Sequence, residues 1–365
     1  MSRTLFLIIF ICCTNFIFGQ PPVYIPAAET NNATDIAEFI NKHFQEDDEK
    51  IPAIYNWITA NIKYDADSIH YVILDEDNEQ RVSVALRRKR GVCENFAAIF
   101  NDLCNKCGIP SFAIEGYTRQ TGSLDRTPHV WCAAFADGEW NLYDPTWDAG
   151  FIRNGSFIDH QQNNYFKIPP SVFIQTHLPF DPLFQFLNYP VTYKEFVLGK
   201  SGEQNEKNYF NYKDSIDSFK KMTPMEQYLS SISRIKNCKW PASKIDTKLK
   251  RLQLEIEVRY QDRDIALYDS SVADYNRGID FLNTFLRYRN NQFQPAKSTR
   301  EIQNLFQNIR KLIADANTKL KEVNASKATL SLNTGDLQKK LDDLDTNVKQ
   351  QESFLKNYVK AVEPN

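Results

Sequence analysis

The sequence predicts an α+β first half followed by an all-α bundle or antiparallel coiled coil. Three observations lead there. Between residues 82 and 148, helix-like and strand-like patterns alternate, with glycines at the joints. Eight of the twelve glycines precede Gly199, and only Gly278 and Gly335 follow Gly202. Beyond residue 200, apolar residues recur at helical spacing with charged side chains on the opposite faces.

At 365 residues, with 42% hydrophobic and 13% aromatic content, the chain is long enough for two domains with sizeable cores. Its 44 basic and 46 acidic side chains nearly cancel. No global field therefore recruits nucleic acid or an anionic membrane, and partners must be read from local sites.

The first 20 residues, MSRTLFLIIFICCTNFIFGQ, carry Arg3, an apolar run from Leu5 to Phe18 and then Gly19. This is the layout of a secretory signal peptide, with cleavage expected near Gly19 or Gln20 and a secreted or periplasmic mature protein. A membrane span needs about 20 apolar residues. This run is shorter and is broken by Thr14 and Asn15. Lipid anchoring through Cys12 or Cys13 lacks the small residue expected before a lipidated cysteine. Cleavage leaves Cys93, Cys104, Cys107, Cys132 and Cys238. An odd number in an oxidising compartment implies a free thiol or an intermolecular bridge, and a nucleophile is one reason to keep a thiol.

Residues 21–40 are polar and rich in Pro and Asn, running into TDIAEFINKHF, where Thr34 or Asp35 is expected to cap a short helix. A second helix is expected over residues 51–63, where Ile54, Trp57, Ile58 and Ile62 keep helical spacing. In GVCENFAAIFNDLCNKCGIP, the residues Phe96, Ala97, Ile99, Phe100, Leu103 and Cys104 mark a helix that Gly108 and Pro110 stop. Cys93 then stands at the helix N-terminus, where exposed N–H groups and the dipole favour a thiolate. The run Arg87, Arg88, Lys89 and Arg90 adds positive charge nearby or is a solvated loop. Cys104 and Cys107 form C-x-x-C at the end of a helix, which suits core packing or a local disulfide better than a redox pair or zinc site.

In HVWCAAFADGEWNLYDPTW, Asp137-Gly138 is a hairpin signal between two strand-like runs. A two-residue loop puts His129 opposite Thr146 and on the same face as Asp144, since parity decides the face. A helix-start thiol, a strand-borne His and a strand-borne Asp make the candidate triad Cys93, His129 and Asp144 of a cysteine hydrolase or acyltransferase. Trp57 or Trp147 suits core packing better than oxyanion binding, and the second oxyanion donor is unassigned. No spacing supports calcium at Asp148, and no metal or cofactor is expected.

Gly91-Val92-Cys93, His129-Val130-Trp131 and Asp144-Pro145-Thr146-Trp147 resemble the three core motifs of transglutaminase-like domains. The continuation through DAGFI and YFKIPPSVFIQTHLPFDPLFQFL is similar to the kyphoscoliosis peptidase-like branch, and the resemblance runs from about residue 37 to 198. Asn95-Phe96 departs from the usual Gly-Tyr, and Cys132 stands where Asn often follows the Trp. The resemblance implies a papain-like core, a helix packed on an antiparallel sheet. It leaves open peptidase or amidase action, protein cross-linking or an inactive scaffold.

After residue 200 one stripe holds Ile245, Leu249, Leu252 and Ile256. A second runs from Ile302 through Ile309 and Ala316 to Val323, and a third from Leu337 through Leu344 and Val348 to Val362. The expected organisation is a signal peptide at 1–20, a transglutaminase-like domain at 21–200 and a helical domain of four or five helices at 207–362. The expected substrate is a protein or peptide amide, with the helices available for a protein partner or self-association.

Overall fold

Helix α1 (Ala33–His43) starts where the Asn32 side chain accepts the Asp35 N–H at 2.9 Å. Asn32, two residues before the expected Thr34 and three before Asp35, is the cap. The computed structural model describes residues 25–27, 30, 32–68, 78–120, 122–200, 208–326 and 332–362. The expected signal peptide at residues 1–20, with Cys12 and Cys13, lies outside them.

Helix α2 (Asp47–Asn61) begins four residues before its apolar repeat, because Asp47, Asp48 and Glu49 place negative charge in the first turn. Strand β1 (Lys63–Tyr64) pairs in parallel with β2 (Arg90–Gly91), and α3 (Asn78–Arg88) lies between them in sequence. Helix α4 (Cys93–Lys106) follows at once. Asn95 accepts the Val92 N–H at 2.9 Å and thereby ties the helix start to the preceding strand. A Cβ on Gly91 would lie 2.5 Å from the Asn95 Cβ, so glycine before the cysteine and asparagine after it fit each other.

Strands β3 (Ser111–Thr118), β4 (His129–Ala136) and β5 (Glu139–Tyr143) form an antiparallel meander. Asp137 and Gly138 both take positive φ, as a tight hairpin turn requires, and the ladder pairs Ala136 with Glu139 and Cys132 with Tyr143. After β5 come α5 (Pro145–Ala149), the hairpin β6 (Gly150–Arg153) and β7 (Ser156–Asp159), α6 (Pro170–Phe173), β8 (His177–Pro179) and α7 (Tyr193–Val197). Strand β8 adds to β3, giving the four-stranded order β5-β4-β3-β8.

Helix α4 covers one face of this sheet. Phe96, Ile99, Phe100 and Leu103 join Cys132, Ala134, Ala136 and Tyr143 in one buried cluster. Each large apolar side chain so buried contributes about 1.5–3 kcal/mol. The architecture is therefore the expected helix on an antiparallel sheet.

The chain divides into two compact units, residues 1–221 with 233–240, and residues 222–232 with 241–365. Helix α8 (Tyr212–Lys221) belongs to the first, where Phe219 meets Phe112 and Phe184. The end of α9 (Pro224–Asn237) does too: Arg234 donates to Asp181 at 2.7 Å, and the Trp240 indole beyond it donates to the Phe180 carbonyl at 3.1 Å.

The second unit is built on α10 (Ala242–Asn290), α11 (Thr299–Asn324) and α12 (Thr334–Val362). Ser298 and Glu301 form a reciprocal capping box at the start of α11. Lys319 of α11 bonds Asp274 of α10, and Phe306 packs on Phe285, so these two helices run antiparallel. Their core is Leu282, Phe285, Ile309, Ala316, Leu341 and Leu344 with their neighbours. This is the all-α bundle that the stripes predict. Among the described residues no helix is long and apolar enough to cross a membrane.

Candidate active site

The local chain places three side chains by three different devices. Cys93 is the first residue of α4, half-buried, and its thiol lies close enough to His129 for the charges of the two groups to act on each other. His129 is the first residue of β4, and its Nε2 lies 2.7 Å from Asp144 Oδ2. Asp144 is not strand-borne as expected. The β4–β5 ladder ends at Tyr143, and Asp144 is the N-cap of α5, because Pro145 has no N–H to continue the ladder and its fixed φ suits the first position of a helix.

That cap uses one carboxylate oxygen. Asp144 Oδ1 accepts the N–H groups of Thr146 at 3.0 Å and Trp147 at 3.2 Å. Oδ2 accepts from two imidazoles, His129 at 2.7 Å and His177 at 3.2 Å. Burial alone would push the carboxyl of Asp144 up, but the charge and hydrogen bonds of His129, with those of His177, hold it well below the usual carboxylate range. Burial likewise works against a charged His129. The negative charge of Asp144 and of a Cys93 thiolate outweighs it, raising His129 to about 10. With Nε2 committed to Asp144, Nδ1 is the ring nitrogen left to exchange a proton with the Cys93 sulfur.

A second buried carboxylate supports the first from below. Asp148 accepts the Asn164 and Tyr165 N–H groups at 3.1 and 2.8 Å and the Tyr55 hydroxyl at 2.5 Å. The same hydroxyl lies 3.0 Å from the Asp144 carbonyl. Desolvation raises the Asp148 carboxyl above its ordinary value despite these donors. Asp148 thus holds α5 and the 164–165 segment against α2, a structural use that leaves it no open ligand site.

His177 and Tyr55 carry no sequence signal that marks them as site residues, and Trp147 reads from sequence as a core residue. The Trp147 ring stacks on His129 with centroids 5.5 Å apart, fixing the imidazole plane. Trp57 is buried in the core beneath the Lys89 ammonium, 4.6 Å from its ring. Arg88 and Arg90 pair with Asp65 at 2.9 and 3.2 Å, so the basic run serves local structure. Cys132 faces α4, its thiol 3.9 Å from the Ala97 carbonyl, and so points away from the imidazoles. Cys104 and Cys107 are free buried thiols packed in the core.

The ligand-type atoms of His129, Asp144 and His177 lie within 4.8 Å of one another, the grouping among the described residues that a metal would choose. Both imidazoles, however, direct Nε2 at one carboxylate oxygen, and an Nε2–H that donates has no lone pair for a metal.

In front of the imidazole is a cleft of about 510 Å³, lined by Tyr64, His129, Trp147, Phe151, Ile152 and Phe157 among others. Phe151 and Ile152 of the β6–β7 hairpin are exposed at its wall. A thiol at a helix start, an imidazole held by a carboxylate, and a cleft opening on that imidazole are the parts that acyl transfer through a thioester uses.

Residues 34–145 match the family model described as the transglutaminase-like superfamily, and the chain carries a transglutaminase-like domain. It is similar to kyphoscoliosis peptidase of Mus musculus, 26% identical over 182 residues that cover 47% of this chain and 27% of the relative. The Homo sapiens protein is 27% identical over 184 residues with the same coverage. The chain thus spans about a quarter of the length of these curated relatives. A crystal structure of a TGase aligns over 40% of this chain and 37% of its own, at 17% identity and a TM-score of 0.27.

Proposed function

We propose that the transglutaminase-like domain of this chain acts as an exported, thiol-dependent peptidase or amidase on protein or peptide substrates, with Cys93 as nucleophile, His129 as general base and acid, and Asp144 as the group that orients it. The observation that carries this reading is the placement of His129, its Nε2 held at 2.7 Å by a buried carboxylate and its ring near enough to Cys93 for the two charges to couple.

In the first half-reaction the Cys93 sulfur attacks the amide carbon, the C–N bond breaks, and the amine leaves with the proton carried by His129. In the second, water gives a proton to His129 and its oxygen to the acyl carbon, which releases the acid and restores the thiol. An amine in place of water makes the same domain a cross-linking transglutaminase. Hydrolysis is the lead because the kyphoscoliosis relatives are named as peptidases and no amine pocket was legible in the sequence. The exposed Phe151 and Ile152 beside the cleft favour an apolar side chain next to the scissile bond.

In this reading residues 21–200 are the catalytic domain, and the helices of 207–362 position it, bind a partner or self-associate. The sequence of residues 1–20 supports export, which N-terminal sequencing of the exported form checks: a start near Gln20 or Pro21 is expected, and an intact Met1 sinks the idea.

The function itself is tested by comparing wild type with Cys93→Ala on peptides and on an amine donor in parallel. Hydrolysis that vanishes in the variant is expected, while equal activity in both proteins removes Cys93 as nucleophile. Dominant amine incorporation moves the assignment to cross-linking, and no turnover of either kind favours a binding module.

A further inference from the structure

His177 stands on β8, 48 positions after His129, and reaches the same carboxylate oxygen by the register of the sheet. Gly116 pairs with His129 on one side and with Pro179 on the other, and Thr118 pairs with His177. Residues opposite each other share a face and positions two apart share it too, so both imidazoles project from one face of the sheet. We propose that His177 is a positioning residue of the reaction, a neutral imidazole that holds Asp144 Oδ2 in line so that His129 stays aimed at Cys93. The inference rests on the reading of Cys93, His129 and Asp144 given above.

The carboxylate itself supplies the reason. The α5 cap bonds pin Oδ1 but leave the group free to swing Oδ2 about that anchor. His129 cannot restrain the swing alone, because it gains and loses charge during each turnover. His177 donates from the other side at 3.2 Å, and it is fully buried, so no water is there to take its place.

Its own position is set by an aromatic cage. Phe173 stacks on it at 3.9 Å, Trp147 lies at 4.6 Å, and Trp131 meets it edge-on at 5.0 Å. Its tautomer is set as well: Asp144 Oδ2 can only accept, which keeps the proton on Nε2 and leaves Nδ1 to accept from the Thr176 hydroxyl at 2.7 Å, a hydroxyl that also lies 3.3 Å from the Phe173 carbonyl.

The charged and titratable groups that face this imidazole are Asp144 at the start of α5, His129 on β4, Asp125 before β4, and the Tyr165 ring at 5.6 Å. Burial, against the pull of Asp144, holds His177 down at about 4, so it stays neutral while His129 carries the charge. One charged and one neutral imidazole on a single oxygen is the division of labour that the geometry requires.

The test uses the full chain and needs no substrate. The rate of Cys93 alkylation by iodoacetamide is followed by mass spectrometry from pH 5 to 10 in wild type, His129→Ala, His177→Phe, His177→Gln and Thr176→Val. His177→Phe is expected to slow alkylation near neutral pH about tenfold and to move the rising limb of the profile to higher pH. His177→Gln, which keeps an N–H at the Nε2 position, is expected to recover most of the rate with the wild-type profile. Thr176→Val, which removes the hydroxyl partner of Nδ1, should fall between them.

A folded His177→Phe with the wild-type rate and profile overturns the proposal, as does equal slowing by Phe and Gln, which marks a packing role. If His177→Phe does not fold, Thr176→Val decides, and an unchanged profile there also overturns it. Wild-type Cys93 that labels slowly and is indifferent to His129→Ala sinks the nucleophile itself, whereas a slow His129→Ala beside an unaffected His177→Phe sinks this proposal alone.

Discussion

Asp144 in the sheet-and-helix unit and Asp274 in the helical unit are both buried carboxylates, but their neighbours differ in kind. Asp274 accepts from Lys319 at 2.5 Å and from Arg277, long side chains that are 27% and 64% exposed. Those cations keep part of their hydration while their stems cover apolar surface. Desolvation opposes the ionised Asp274, and the two cations still hold it below its ordinary value. Asp144 instead accepts from two imidazoles and two backbone N–H groups, all in the interior. A carboxylate paired with permanent cations fixes structure. One paired with an imidazole that can take up and release a proton can take part in proton transfer.

The sharpest way to break the comparison is to neutralise each carboxylate. Asp144→Asn is expected to lower kcat by about a thousandfold to ten-thousandfold, as loss of the orienting acid does in such triads. Asp274→Asn should leave kcat unchanged and cost about 1–2 kcal/mol in urea unfolding, since Lys319 and Arg277 remain able to reach water. Comparable rate losses from both variants would mean that the two carboxylates do not differ in role.

The pH dependence should follow the same division. With His129 raised to about 10, the imidazolium that the proposed reaction uses persists far above 6.5, so the alkaline limb of kcat/KM is expected near pH 10. Because its folded value lies above 6.5, the stability contributed by His129 is complete below 6.5 and is lost as pH rises through about 10. His177, lowered to about 4, contributes above 6.5 and loses that contribution as pH falls through about 4. Urea midpoints of wild type and His177→Gln should therefore converge as the buffer is taken from pH 6.5 to pH 4. An alkaline limb near 6.5 in the rate profile would show that Asp144 and Cys93 do not stabilise the charged ring.

Two glycines give the smaller contrast. A Cβ at Gly116 would lie 2.1 Å from the Leu178 carbonyl oxygen and 2.6 Å from the Pro179 Cα, both backbone atoms. Gly116→Ala should cost about 3 kcal/mol, and by moving β8 and His177 it should lower activity as well. A Cβ at Gly278 meets the tip of Leu344 at 2.9 Å and the Ile309 Cγ2 at an ordinary contact distance of 3.8 Å. Gly278→Ala should change stability by under about 1 kcal/mol, because the helix-propensity gain offsets a contact that a flexible side chain can relieve. Thermal melts of the two variants check this, and a larger loss at Gly278 would reverse the ranking.

Much of this protein is written at short range. The helical stripes, the Asp137-Gly138 turn, the start of α4 at Cys93 and the stop at Gly108 each depend on residues a few positions apart, so local sequence alone determined them. Parity along β4 and β5 was enough to put His129 and Asp144 on one face, although Pro145 turned Asp144 from a strand residue into a helix cap. The His177 contact had no such local signal. It follows from β8 docking on β3, where Gly116 admits the Leu178 carbonyl, and from a cage drawn from β4, α5 and α6. The clasp of Tyr55 on Asp148 across 93 positions is of the same kind. Periodicity records which side of an element is apolar. Which distant polar group satisfies a buried carboxylate is decided only when the elements have packed, because burial is what makes that partner necessary.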